Sequence, residues 1–253
     1  MIKLDLLEKP KELTEEKERE LVEIYRSTER DVWQQSYIKK ALLKMSNNKC
    51  AYSEQKLNTE SAYMEVEHFR HKKKYKDLVV RWGNLLPACK KCNVSKGEWD
   101  VVTDPIVNPL EDIPANHLFV KSFRFYNRDE KGQNTIEAVA LNDREHFVNS
   151  RSAIGFKIAD TLEDIYELAK QADSDRKKKR VVNRLKVVLS DCGPKHEYSA
   201  VLATYVLYEV VTYRNLKAFL KENSLWDSEL DDLENVLEMI AMPETKHKDN
   251  VEG

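Results

Sequence analysis

Cys89 and Cys92 sit three apart in NLLPACKKCNVSKG (residues 84–97), and Asn93 follows them directly. Thiols at that spacing hold a metal or cycle through a disulfide, and a structural zinc takes four ligands. Upstream, YMEVEHFRHKKKYKD (residues 63–77) places Glu67 beside His68, ahead of a basic run. An adjacent carboxylate and imidazole can divide two tasks. The carboxylate holds a hard divalent cation, and the imidazole, neutral near pH 7, takes a proton from water. Read singly, the two are ordinary solvated side chains. They are not single: Asn84 in WGNLLPAC comes sixteen residues after His68, and Asn93 comes nine after Asn84.

The order Glu67-His68, W-x-N-L-L with Asn84, then C-x-x-C-N-x-x-K with Cys89, Cys92, Asn93 and Lys96 resembles the HNH endonuclease family over roughly residues 50–99. The resemblance implies a ββα-metal unit, in which a β-hairpin and a helix face each other across one divalent cation. It implies that His68 is the general base and that Asn84 ties the loop between the strands and holds that base in place. It implies that Glu67 and Asn93 bind the metal, with Asn93 reaching it from the helix. Two oxygen ligands favour Mg²⁺ or Mn²⁺ over Zn²⁺. Lys96, three residues past Asn93 and on the same helix face, reads either as a phosphate contact or as a solvated lysine. Arg70, His71, Lys72, Lys73, Lys74, Lys76 and Arg81 gather positive charge beside the motif on a chain of formal net charge -2. Such a local excess suits a patch for nucleic-acid backbone, with Arg70, Lys72, Lys73, Lys74 and Lys96 as its expected contacts.

Many proteins of that family carry two CxxC knuckles around a structural zinc. Here the first knuckle is Cys50-Ala-Tyr-Ser53, so the fourth thiolate is a serine, a poor zinc ligand. Cys50, Cys89 and Cys92 could still hold zinc with a water or with His71 as fourth ligand. Equally, they could be small buried hydrophobes. Redox use of the pair is weakly supported, because no βαβ pattern surrounds it. Either way, Cys89 and Cys92 are expected to brace the helix that carries Asn93. Cys192 has no assigned role.

The elements that must position these residues can be read from periodicity. Leu21, Ile24, Tyr25, Ile38, Leu42 and Met45 recur at helical spacing through residues 14–46. TDPIVNPLEDIPANH reads as a Pro-punctuated connector. HLFVKSFRFYN and NTIEAVAL, flanking RDEKGQ, read as a hairpin turning at Gly132. Asn142 is placed to cap a helix beginning at DREHFVNSRS. Helices then follow to about Met242, broken near SDCGPKH and ENSLWD, and the KDNVEG end reads as frayed. The expected fold class is α+β and mainly helical, with a ββα-metal unit embedded in a helical scaffold. Its divisions are N-terminal helices over 1–49, the nuclease unit over 50–104, a connector and hairpin over 105–141, and a helical region over 142–253.

Composition limits the alternatives. Four cysteines in 253 residues do not make a disulfide framework. No stretch is apolar and long enough to span a membrane, and the N-terminal segment turns acidic without an apolar run. Both fit a reducing, cytoplasmic protein. The wider layout — VEHFRHK, then DPIVNP, HLFV and LNDREHFVNSR — is similar to the PtuB family of Septu anti-phage systems, including retron-associated ones. That narrower resemblance implies a PtuA-like ATPase partner, an antiviral role and restraint of the nuclease until infection. The expected substrate is nucleic acid, DNA before RNA. The contrasting reading is a non-catalytic nucleic-acid-binding or scaffold protein built on a degenerate zinc knuckle. A stand-alone sequence-reading nuclease lacks a recognition module in this chain. The acidic segment DSELDDLENVLE suits either the core or a docking helix.

Overall fold

The computed structural model describes residues 1–57 and 63–245; the KDNVEG end lies outside the described residues. The fold is α+β and mainly helical, with two small two-stranded sheets among the described residues. The chain forms two compact units, one of Met1–His117 with Asn127–Phe147, the other of Leu118–Tyr126 with residues 148 onward.

In the first unit, α1 (Glu15–Thr28) starts at Thr14, whose hydroxyl accepts from the Lys17 amide, and carries Glu15, Glu16 and Glu18 in its first turn. A capping hydroxyl and acids at the positive helix end both favour this start. α1 ends at Glu29 in the left-handed region, and α2 (Ser36–Met45) follows after a short loop that buries Trp33. Helix was therefore legible over residues 14–46, as two helices with a turn between them. β1 (Met64–His68) and β2 (Leu85–Cys89) pair antiparallel, with Glu67 opposite Leu86 and His68 opposite Leu85. α3 (Lys90–Lys96) follows β2 without a linker and closes at Gly97, φ +48°. That sign of φ suits glycine.

The hairpin read across RDEKGQ does not form. β3 (Leu118–Lys121) and β4 (Arg124–Asn127) both lie inside HLFVKSFRFYN and turn at Ser122 and Phe123, φ +47° and +65°. Two positive φ values match the right-handed strand twist in a two-residue turn. NTIEAVAL belongs instead largely to α4 (Glu130–Ala138). Asp129 caps α4 by accepting from the Gly132 amide at 2.8 Å, and the buried Gly132, Thr135 and Ala138 recur every third residue, a helical period. Gly132 is required for close packing, since a Cβ there would stand 2.1 Å from the His117 carbonyl oxygen.

The second unit holds α5 (Asn149–Lys170), α6 (Asp175–Asp191), α7 (Ser199–Thr204), α8 (Val211–Glu222) and α9 (Ser228–Ile240). The breaks fall at SDCGPKH and ENSLWD, as periodicity indicates. Leu162, Ile165, Leu185, Leu189, Leu216 and Leu237 anchor its core. The turn before α5 is a π-helical one over Arg144–Val148, and its cap is Asp143, which accepts from the His146 amide at 2.9 Å. The cap therefore lies one residue beyond Asn142. In the β3–β4 turn, Phe123 packs against Gly155, where a Cβ would sit 2.2 Å from the ring.

Gly132→Ala is expected to destabilise the protein by about 1–3 kcal/mol through overpacking against fixed backbone. Urea unfolding measures it; an unchanged midpoint would show that the α4 approach is not tight.

Candidate active site and thiol cluster

The side chains picked out in the sequence come together around β1, β2 and α3. The first knuckle reaches β2 through the Ala51 amide, which donates to the Pro87 carbonyl at 2.8 Å. Lys49 and Lys56 bridge across the knuckle, and Cys50 and Gln55 bond between its arms. Buried Lys49 pairs with buried Glu54 at 3.0 Å. These contacts carry Cys50 to Cys89 and Cys92, at the start of α3, so that the three sulfurs lie within 4.8 Å of one another. All three cysteines are buried. Ser53 Oγ, at the sequence position of the fourth knuckle ligand, lies 3.7 Å from Cys89 Sγ. His71 is not in the cluster; among the described residues no further His, Cys, Asp or Glu joins the three thiols.

The thiols share protons unequally. Burial works to raise Cys50, but hydrogen bonds from Cys89, Cys92 and Ser53 outweigh it and hold Cys50 well below the usual thiol range. Cys89, donating to Cys50, is pushed up to about 12, and burial drives Cys92 up as well. The three sulfurs form a buried donor set that could bind a soft metal and is compatible with zinc.

One turn along α3 the chemistry changes. A cavity of about 240 Å³ is lined by Glu67, His68, His71, Lys72, Asn93 and Glu98, together with Lys73 and Gly97. Asn84 closes the loop between the strands. Its Oδ1 accepts from the Arg70 amide at 2.8 Å, and its Nδ2 donates to the carbonyls of Arg70 and Leu78, both at 3.1 Å. That loop supplies the Val79 carbonyl, 2.8 Å from His68 Nε2. A carbonyl only accepts, so Nε2 carries the proton and Nδ1 holds the free lone pair. Trp33 fixes the ring from its edge, centroid to centroid 4.7 Å. Burial, chiefly, pushes the His68 imidazole down to about 3, with the Val79 bond opposing and the Lys72 and Lys96 charges adding. His68 is therefore neutral across the physiological range.

Lys96 departs from the sequence reading. Its ammonium is buried rather than aimed at a phosphate: Nζ lies 2.6 Å from Glu67 Oε1 and donates to the His68 carbonyl at 2.9 Å. The same seven-residue helix brings Asn93 to the cavity and Lys96 beneath it. Glu67 is almost as deeply buried, which pushes it up to about 7 with Lys96 pulling the other way. The basic run is also less free than its composition suggests. Lys73 pairs with Glu98, Lys74 with Asp100, Lys76 with Glu29 and Arg81 with Glu18. Lys72 lies 4.7 Å over the Trp33 ring.

Two contributors escaped the sequence reading. Glu98 is two residues past Lys96 and gave only its proximity as a signal. Trp33 lies far from the motif and gave none.

Site and fold define a helical α+β protein in which a thiol-anchored hairpin and helix carry a polar cavity. No family model matches the chain, and no solved structure matches it. A Septu protein PtuB of Bacillus thuringiensis is 38% identical over 234 residues, covering 90% of each chain. Another Septu protein PtuB, of Bacillus mycoides (strain KBAB4), is 32% identical over 148 residues, 46% of this chain and 50% of the relative. The chain belongs to the PtuB family.

Well above pH 7, where Glu67 is ionised, Lys96→Met strands a buried carboxylate without its counter-ion and is expected to cost about 3–5 kcal/mol. Lys96→Met with Glu67→Met removes both charges and is expected to recover most of that loss in guanidinium unfolding. Equal stability of Lys96→Met and the parent would show that Glu67 is not held as an ion.

Proposed function

We propose that the chain is a divalent-metal-dependent nuclease of the HNH class and a component of anti-phage defence. The observation that carries this reading is the convergence of His68, Glu67 and Asn93 on one cavity beside a loop closed by Asn84. In this reading β1, β2 and α3 are the ββα-metal unit, within the stretch 50–104. Glu67 and Asn93 would hold Mg²⁺ or Mn²⁺. A buried carboxylate and an amide in a cavity open to water and phosphate fit a hard cation that keeps part of its shell. When bound, the cation neutralises the scissile phosphate and favours departure of the leaving oxygen.

The chain's own residues do the rest. His68 Nδ1 takes the proton of the attacking water, and Val79 keeps the ring in the tautomer that leaves this nitrogen free. Asn84 positions that base through the loop. Lys96 holds Glu67 and the His68 carbonyl in register. Arg70, Lys72, Lys73 and Lys74 would meet the nucleic-acid backbone beside the cavity, with the Glu98 and Asp100 pairs opening when phosphate competes for the lysines. Cys50, Cys89 and Cys92 would hold zinc, with water completing the four positions. Membership of the PtuB family supports a PtuA-like ATPase as partner; the substrate in this reading is DNA before RNA. No helix among the described residues is long and apolar enough to cross a membrane.

The test is nicking of supercoiled plasmid with Mg²⁺ or Mn²⁺, by the chain alone and with its ATPase. His68→Ala is expected to lower the rate by about 10²–10⁴-fold, the range for a general base, while keeping fold and DNA affinity. More than a tenth of parental activity in His68→Ala would remove the assignment.

The pH profile separates the two residues. Only ionised Glu67 can ligate the cation, so at limiting Mg²⁺ activity should rise as pH rises through about 7. His68 is already neutral well below that point and adds no acid limb near 6.5. Glu67→Gln should flatten the limb and raise the Mg²⁺ requirement; a limb that survives at the same pH would take Glu67 out of the metal site.

Purified protein is expected to contain about one zinc per chain, and a strong chelator should lower its melting temperature, since structural zinc contributes directly to folding. Zinc-free protein of full stability would leave the thiols as core residues.

A further inference from the structure

We propose that the outward face of α6 is a docking surface for the phosphate backbone of duplex DNA, an inference that rests on the nuclease reading. Residues 173–184 carry six basic side chains against two acids, on a chain whose net charge is -2. Val181, Val182, Leu185, Val188 and Leu189 face the core. Arg176, Lys179, Arg180 and Asn183 are exposed on the opposite face, with Arg184 half-buried beside them. From Arg176 to Arg184 the stripe runs along about two turns, roughly 12 Å at the helical rise.

Five of those six basic side chains, Arg176, Lys178, Lys179, Arg180 and Arg184, have no ion pair among the described residues, whereas Lys177 on the same helix pairs with Asp173 and Lys186 with Asp227 and Glu229. The basic run beside the cavity is the contrasting case, since Lys73, Lys74, Lys76 and Arg81 each have an acidic partner. The α6 arrangement also works against the helix. Cations in the first turns oppose the positive end of the macrodipole, with only Asp175 to offset them. Arg176 and Arg180, and Arg180 and Arg184, are like charges four apart and repel. Folding gains nothing from this placement, so a ligand that supplies counter-charge accounts for it.

The face suits a phosphodiester backbone better than a protein or a single strand. Apart from Val187 it is polar, whereas protein interfaces deplete lysine at their centres. It has no aromatic ring on which an unpaired base could stack. A linear row of cations matches the charge line of a duplex.

The test is equilibrium binding of a labelled DNA duplex of about 30 bp, long enough for several backbone contacts, to full-length His68→Ala protein over a range of salt concentrations. Its comparison is the same protein with Arg176→Gln, Lys179→Gln and Arg180→Gln, and a charge-matched control with Lys11→Gln, Lys40→Gln and Lys195→Gln. The α6 variant is expected to bind at least roughly tenfold more weakly and to lose about 2–3 from the log–log salt slope, close to one per cation. Its melting temperature should be unchanged or higher, because a repulsive cluster has been relieved. The control should bind as the parent does. Equal binding by the α6 variant and the control overturns the inference, as does a loss confined to single-stranded DNA or RNA. A loss confined to assembly with a protein partner overturns it too. Cleavage by the parent, measured separately on plasmid with Mn²⁺, stands or falls independently of all these outcomes.

Discussion

A buried ammonium joins the helix to the strand. Lys96 Nζ contacts the Glu67 carboxylate and the His68 carbonyl, so one side chain fixes both the acid and the backbone from which the imidazole projects. An ion pair this deep is maintained only if each charge keeps its partner. That condition makes α3 and β1 mutually dependent: a small shift of either would isolate a charge. The cavity is shaped by this dependence, because Asn93 rides on the same short helix as Lys96.

Two further ties hold the pair in place. The three sulfurs bring the first turn of α3 against the knuckle at Cys50 and the end of β2. Asn84 closes the loop from the other side and presents Val79 to the imidazole. Each tie fixes a different degree of freedom: the helix's position, the loop's closure, and the ring's tautomer. Rigid placement of this kind is what positioned acid–base chemistry requires, and it comes from residues that would not themselves touch a substrate.

Charge is distributed in a way that composition conceals. Near the cavity, basic side chains are matched by Glu98, Asp100, Glu29 and Glu18, so the field there is softened. On α6, Arg176, Lys178, Lys179, Arg180 and Arg184 have no such partner among the described residues and stand against the helix dipole. A net charge near zero therefore coexists with local surfaces of opposite behaviour, and only the local surfaces bear on binding.

Residue types and spacing marked Glu67 with His68, and the three cysteines, as candidates, and it was the resemblance to HNH endonucleases that joined Asn84 and Asn93 to them. Helices were legible wherever a 3.6-residue period faced one core, as in α1, α2, α5, α6, α8 and α9. Tertiary structure decided the rest. Gly132 reads as a turn residue in one dimension, yet it is a helix position where the His117 carbonyl approaches too closely for a Cβ. Lys96 reads as a surface cation, yet its four-carbon stem can fold inward as readily as outward, and only a buried acid within reach makes inward favourable. Trp33 reaches the His68 ring through a chain crossing that no local pattern encodes, whereas Glu98 lines the cavity from just past α3. Periodicity and chemistry are local properties of the chain; burial, counter-charge and close approach belong to pairs of residues, and only the folded chain brings those pairs together.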